Sequence, residues 1–101
     1  MSLEAPDFSR VRVHMILSGE KREEYREMKQ YYAARLKNEG FLDRYGLPTI
    51  KEDWVLFRNG YGKEAPSFKA LCTVDMRTGR REWGAKSGEE YFVFKILKVE
   101  K

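Results

Sequence analysis

From Ser67 to Arg77 the chain places an apolar residue at every second position: Phe68, Ala70, Cys72, Val74 and Met76. Side chains of a β-strand alternate between two faces, so this run reads as a strand with one face on a core. The residues around it extend the pattern. Asp53 to Arg58 reads as a second strand, followed by the glycine-rich loop Asn59-Gly60-Tyr61-Gly62. Thr78-Gly79 is a turn, and Arg80 to Trp83 is expected to pair back as a short strand. After a second turn at Lys86-Ser87-Gly88, Glu90 to Val99 carries apolar residues on both faces, which predicts an interior position in the sheet.

The first half of the chain has a different period. Residues 1–6 hold room for a very short strand, ended by Pro6. Phe8, Val11, Met15 and Ile16 recur at helical spacing behind the capping candidates Asp7 and Ser9, and Gly19 stands where a helix stops. Val11 and Val13 also alternate with polar residues, so a strand over Arg10 to Met15 is the rival assignment; Ser18-Gly19 favours the helix. Residues 20–27 read as a charged, extended passage anchored by Tyr25. Met28, Tyr32 and Leu36 share one helical face, predicting a helix from about Lys29 to Lys37 that closes at Gly40. Residues 40–51 are loop-like. Helices first and strands afterwards imply an α+β class: a small curled sheet or β-barrel with two flanking helices, in one domain over residues 1–101.

Of the 101 residues 42% are hydrophobic and 14% aromatic, enough for a core in which large rings carry much of the burial. The net charge of +4 suits an anionic partner such as RNA, DNA or a nucleotide. Residues 1–50 hold nine Lys and Arg against eight acids, and residues 51–101 eleven against eight. No polybasic arm exists, so a basic surface has to be assembled by folding; an ordinary solvated surface accounts for the balance equally well. Cys72 is the only cysteine and His14 the only histidine. An internal disulfide is excluded, and neither a Cys/His zinc site nor Ser-His-Asp chemistry is expected. No metal or other cofactor is expected. No apolar run reaches transmembrane length and no signal-peptide pattern opens the chain, so a cytoplasmic location without a membrane partner is the expectation.

The candidate for chemistry is Gly19-Glu20-Lys21-Arg22-Glu23-Glu24-Tyr25-Arg26, which fits G-x-K-x-x-E-x-R. In an extended segment Glu24 and Arg26 share a face, and Lys21 sits at the bend before it. A lysine and an arginine flanking a carboxylate suit recognition of a phosphate or a polar base edge. The same pair can polarise water. From spacing alone, a solvated salt-bridge cluster is also an adequate account.

This pattern resembles the signature of the ASCH domain, a member of the PUA-like β-barrel superfamily found in bacteria and phages. The resemblance extends through Met15 to Lys21, Glu24 to Glu27, Tyr31 to Leu36, Phe57 to Gly62, Glu82 to Ala85 and Tyr91 to Val93. It implies a barrel whose cleft is lined by Gly19 to Arg26, and a role in binding RNA or a modified nucleoside. One related group hydrolyses N4-acylated cytidines with a lysine, a threonine and a glutamate. Lys21 matches that lysine, whereas Glu24 stands where the threonine would be.

Ligand-binding candidates are therefore Lys21, Glu24, Arg26, Arg58, Asn59, Tyr61 and Trp83, with Lys21 and Glu24 catalytic if the chain is an enzyme. Arg58, Asn59 and Tyr61 offer charge, an amide and a stacking face on a glycine-rich loop; a hairpin with Asn-Gly turn chemistry is the plainer account. Trp83 beside Arg80, Arg81 and Lys86 is a basic-aromatic group of the kind that holds single-stranded nucleic acid, or a core or rim residue. Trp54 and Cys72 read as core. Glu64, Glu82 and Glu89 are possible further carboxylates. Alanine at Lys21 or Arg26 is expected to lower nucleic-acid affinity with little effect on stability.

Overall fold

The computed structural model of the chain describes residues 2–4, 15–58 and 67–100. Among the described residues the strands are β1 (Ser2–Glu4), β2 (Glu23–Glu27), β3 (Asp53–Arg58), β4 (Ser67–Thr78) and β5 (Glu90–Glu100), and helix α1 spans Gln30–Asn38. The strands form one sheet in the order β1-β3-β4-β5-β2. β1 lies parallel to β3, and every other pairing is antiparallel. The four antiparallel strands curl into a half-barrel, giving a small, mostly sheet domain with few helices.

The alternation in β4 does what its sequence demands. Phe68, Ala70, Cys72 and Val74 are buried, and register places Phe57, Val55, Ile96 and Phe94 beside them on the same face. Phe57 stacks on Phe68 at 5.3 Å between ring centroids and meets Phe94 edge-on at 5.5 Å. Ile16, Leu36, Phe41 and Leu42 close this core from the helical side. Burial of each such side chain is worth about 1.5–3 kcal/mol.

α1 ends in a Schellman motif. Gly40 adopts φ +84°, its N–H donates to Lys37 O at 3.1 Å, and Phe41 N–H donates to Leu36 O at 2.9 Å. The turn delivers Phe41 straight into the core. An earlier helical turn at residues 15–17 closes at Gly19, φ +83°, as its position in the sequence predicts. The part of that expected helix before residue 15, with His14, lies outside the described residues, as does the expected loop with Asn59 and Tyr61.

β5 is interior, as its two-sided pattern predicts, and the pattern has two causes. Cys72 lies opposite Ile96 while Leu71 lies opposite Lys98, so Leu97 is the extra residue of a β-bulge. The bulge moves the inner positions from Phe92, Phe94 and Ile96 to Val99. On the outer face Tyr91 and Val93 are also buried, under the segment that joins β4 to β5.

Two expectations fail. Arg80 to Trp83 does not pair as a strand; Arg81–Trp83 is a 3-10 turn, closed by Gly84 at φ 102°. The Tyr25 hydroxyl takes the Arg80 N–H at 2.9 Å, and the N–H groups of Trp83 and Ala85 both fold back onto Arg80 O, so these donors leave the ladder. Trp54 is not core: register pairs it with Leu71 on the outer face of the sheet, where it is 37% exposed. Among the described residues no helix is long and apolar enough to cross a membrane.

Candidate functional site

The site grows from the stop of the first helical turn. Lys21 N–H donates to Met15 O at 2.8 Å, which ties the lysine backbone to the first residue of that turn. Ile96 N–H donates to Arg22 O at 2.8 Å just before the chain enters β2, where Glu24 pairs with Phe94. That register puts Glu24 and Arg26 on the inner face, in the rows of Phe94 and Phe92.

All three charged side chains are buried: Lys21 is 1% exposed, Glu24 2% and Arg26 6%. Lys21 Nζ donates to Glu24 Oε1 at 3.3 Å, and Arg26 Nη1 lies 3.4 Å from the same oxygen. Glu24 Oε1 also accepts the Tyr25 N–H at 3.0 Å, and Arg26 Nη1 donates to Tyr25 O at 3.1 Å. The second oxygen differs completely. Glu24 Oε2 is buried and has no hydrogen-bond partner among the described residues. Buried polar atoms are nearly always satisfied, and an ionised carboxylate oxygen is costly to leave bare. The guanidinium of Arg26 stands 5.7 Å from the Phe57 ring centroid and the amine of Lys21 5.9 Å from that of Tyr25, so aromatic faces flank both cations. The Glu24 charge reaches β4: burial first, and then this carboxylate, push the Cys72 thiol up to about 12. Cys72 is thus a neutral, inert member of the wall.

The backbone arrangement has a further result. With Arg22 O bonded to β5, the N–H and C=O groups of Tyr25 face away from β5. β2 is a terminal strand of the sheet among the described residues, so this is an edge. Glu24 and Arg26 fold back to satisfy that edge from within the same strand.

The outer face of β2 is organised differently. Tyr25 packs with Ala85, Tyr91 and Val93, and Trp83 leans against them. The Tyr25 hydroxyl donates to Glu23 Oε1 at 2.8 Å while accepting the Arg80 N–H. Arg77 pairs with Glu23. Burial pushes Glu23 up, but the Arg77 and Tyr25 hydrogen bonds and the charges of Arg77 and Arg80 outweigh it, and its carboxyl lies below its ordinary value. Burial, with the Glu23 contact, raises the Tyr25 phenol to about 12 against the opposing Arg80 N–H.

The candidates thus separate. Lys21, Glu24 and Arg26 come together. Arg58 does not join them: Val55 and Phe57 are the inner residues of β3, so alternation sets Arg58 with Trp54 and Leu56 on the opposite face. Trp83 sits beyond the outer face of β2, with the Arg80 guanidinium 4.8 Å from its ring centroid. Glu82 pairs with Arg80, and Glu89 accepts from the Tyr91 hydroxyl, so neither turns to Glu24. Asn59, Tyr61 and Glu64 lie outside the described residues. Alanine at Lys21 or Arg26 cannot leave stability untouched, because each would strip a buried carboxylate of a counter-charge. Among the described residues no group of three or more His, Cys, Asp and Glu is arranged to hold a metal ion.

One element had no signal in the sequence. An open groove of about 430 Å³ runs between residues 16–22 and 96–99, with Ile16, Leu17, Lys21, Arg22, Ile96 and Lys98 among its walls. The β5 bulge shapes one wall, and bulges are not readable from composition. No family model, no curated protein and no solved structure matches this chain.

Proposed function

We propose that the chain is an ASCH-type, PUA-like module that binds RNA or a modified nucleoside through Lys21, Glu24 and Arg26. One observation carries the reading: a buried carboxylate with one oxygen contacted by Lys21, Arg26 and the Tyr25 N–H, and the other with no donor among the described residues. Such an oxygen suits a ligand N–H, as on the exocyclic amine of a base. The two cations beside it suit the carbonyl or ring acceptors that accompany that amine. The order of Gly19, Lys21, Glu24 and Arg26 supports the family assignment, and the curled antiparallel sheet is compatible with a PUA-like barrel.

The test is fluorescence titration of RNA and of nucleosides at low salt against the wild type and Glu24→Gln, with thermal melts to confirm folding. Gln replaces an acceptor by a donor at nearly constant shape. Loss of a charged hydrogen bond is expected to weaken binding about tenfold to a hundredfold. No binding by the wild type, or equal binding by the variant, would sink the proposal.

The 3.3 Å contact between Lys21 Nζ and Glu24 Oε1 favours a second reading, a small hydrolase acting on a nucleoside amide of the N4-acylcytidine type or on RNA. Lys21 and Glu24 would then be the catalytic pair, polarising water. Chromatography of acylated cytidines and RNA after incubation decides it. Turnover that disappears in Lys21→Arg supports this reading, and absence of product from the wild type removes it.

A further inference from the structure

We infer that the groove between residues 16–22 and 96–99 is an anion subsite that takes the phosphate of a nucleoside phosphate, held by Arg22 and Lys98. The inference rests on the base-binding role given above to Glu24, and it adds that the ligand is phosphorylated. Lys21 joins the two places, since its amine holds Glu24 Oε1 and the same residue lines the groove.

The chemistry of the walls points to an anion. Among the described residues that line the groove three are cationic, Lys21, Arg22 and Lys98, and none is acidic, in a chain with 16 Asp and Glu. Lys21 is committed to Glu24. Arg22 and Lys98 are exposed and form no ion pair among the described residues, unlike Lys29, Lys51, Arg77 and Arg80, which do. Two such cations beside one hollow make a local positive field that a phosphate would neutralise. The remaining surface is apolar, from Ile16, Leu17, Ile96 and Val99. A hydrated inorganic ion gains little from such walls, whereas a sugar or base edge attached to the phosphate can lie against them.

Local backbone geometry keeps the hollow open. Gly19 has φ +83°, and nothing stands within 4 Å of where a side chain would begin. Across the groove the bulge leaves Leu97 outside the regular pairing, 49% exposed. The hydrogen bond from Ile96 N–H to Arg22 O fixes the two walls to each other.

The experiment uses the full chain and the double variant Arg22→Ala/Lys98→Ala, both at exposed positions where folding is expected to be retained. The probes are the four ribonucleosides, their 5′-monophosphates, ribose 5-phosphate and a labelled single-stranded RNA octamer. The monophosphates are expected to bind the wild type about tenfold more tightly than the nucleosides, an advantage the double variant loses. For the octamer, the slope of log affinity against log salt should become shallower by about 0.7 for each phosphate the variant no longer neutralises. An octamer that outbinds the monophosphates identifies a strand as the source of the phosphate; equal binding identifies a free nucleotide. Unchanged affinity of the double variant for every phosphorylated probe overturns the subsite, as does a wild type that binds none of them. Nucleoside binding abolished by Glu24→Gln leaves the base-binding role intact in either case. Ribose 5-phosphate, having no base, reports the subsite when that role fails.

Discussion

Glu24 and Tyr25 are adjacent in β2, and both are buried, yet they live under opposite rules. On the outer face the hydroxyls of the tyrosine cluster are matched: Tyr25 bridges Glu23 and Arg80, and Tyr91 bridges Lys86 and Glu89. On the inner face two cations crowd one carboxylate oxygen, and the other has no donor among the described residues. The outer arrangement is what stability alone favours, a modest number of satisfied hydrogen bonds over apolar contact. The inner one spends stability to hold charge in a dry place, and departures of that kind concentrate where proteins bind or react. Segments with equal burial can thus be told apart by how completely their polar atoms are satisfied.

Four substitutions test that contrast. Glu24→Ala takes the carboxylate away from both Lys21 and Arg26 and is expected to cost about 3–5 kcal/mol in urea unfolding, as breaking a buried ion pair typically does. A smaller loss than for any outer-face variant would erase the distinction between the faces. Gly79→Ala comes next. A Cβ there would stand 2.5 Å from the Tyr25 ring and 2.8 Å from the Ala85 methyl, and such overpacking costs about 1–3 kcal/mol. Exchange protection between Gly79 and Glu89 should fall with it. Tyr25→Phe keeps the ring but strands the Arg80 N–H, an expected loss of about 1–2 kcal/mol by thermal melting, with ligand binding unchanged. If this variant instead abolished binding, the outer face would belong to the site.

The smallest effect is pH-dependent. The folded-state value of Glu23 lies below its ordinary 4.5, so its contribution is complete above that pH and disappears as pH falls through the lowered value. Glu23→Gln should therefore cost at most about 1 kcal/mol at neutral pH, and its acid-unfolding curve should merge with the wild type once pH has fallen below the lowered folded-state value. Curves that stayed parallel into acid would show that Glu23 acts through packing and not through its charge.

Much of this architecture could be read directly from the residues. Period two in β4, the apolar pair Val55 and Phe57 in β3, and the spacing of Tyr32 and Leu36 are local signals that tertiary contacts left intact, whereas Met28, expected on the same helical face, lies before α1 and is exposed. The shared face of Glu24 and Arg26 followed from their separation by two. Parity could also have placed Arg58 opposite the core, since Phe57 beside it points inward; the glycine-rich loop drew attention away from that rule. Other features had no local signature. Arg80 to Trp83 turned on a hydroxyl 55 residues away, Trp54 is apolar but outward, and the β5 register shift depends on its partner strand. Nothing in the neighbourhood of Lys21 signals a lysine sealed at 1% exposure, because burial of that kind is decided by the whole sheet.

The way Glu24 and Arg26 turn back on Tyr25 reaches beyond ligand chemistry. A terminal strand normally offers its amides and carbonyls to any passing extended segment, which is how sheets recruit neighbours and how aggregates seed. Here the middle of that margin is already occupied, its donor by a carboxylate and its acceptor by a guanidinium. An incoming chain would have to evict two ions before it gained a ladder bond at Tyr25. Among the described residues, those that concentrate charge inside the domain therefore also hinder the sheet from growing at Tyr25.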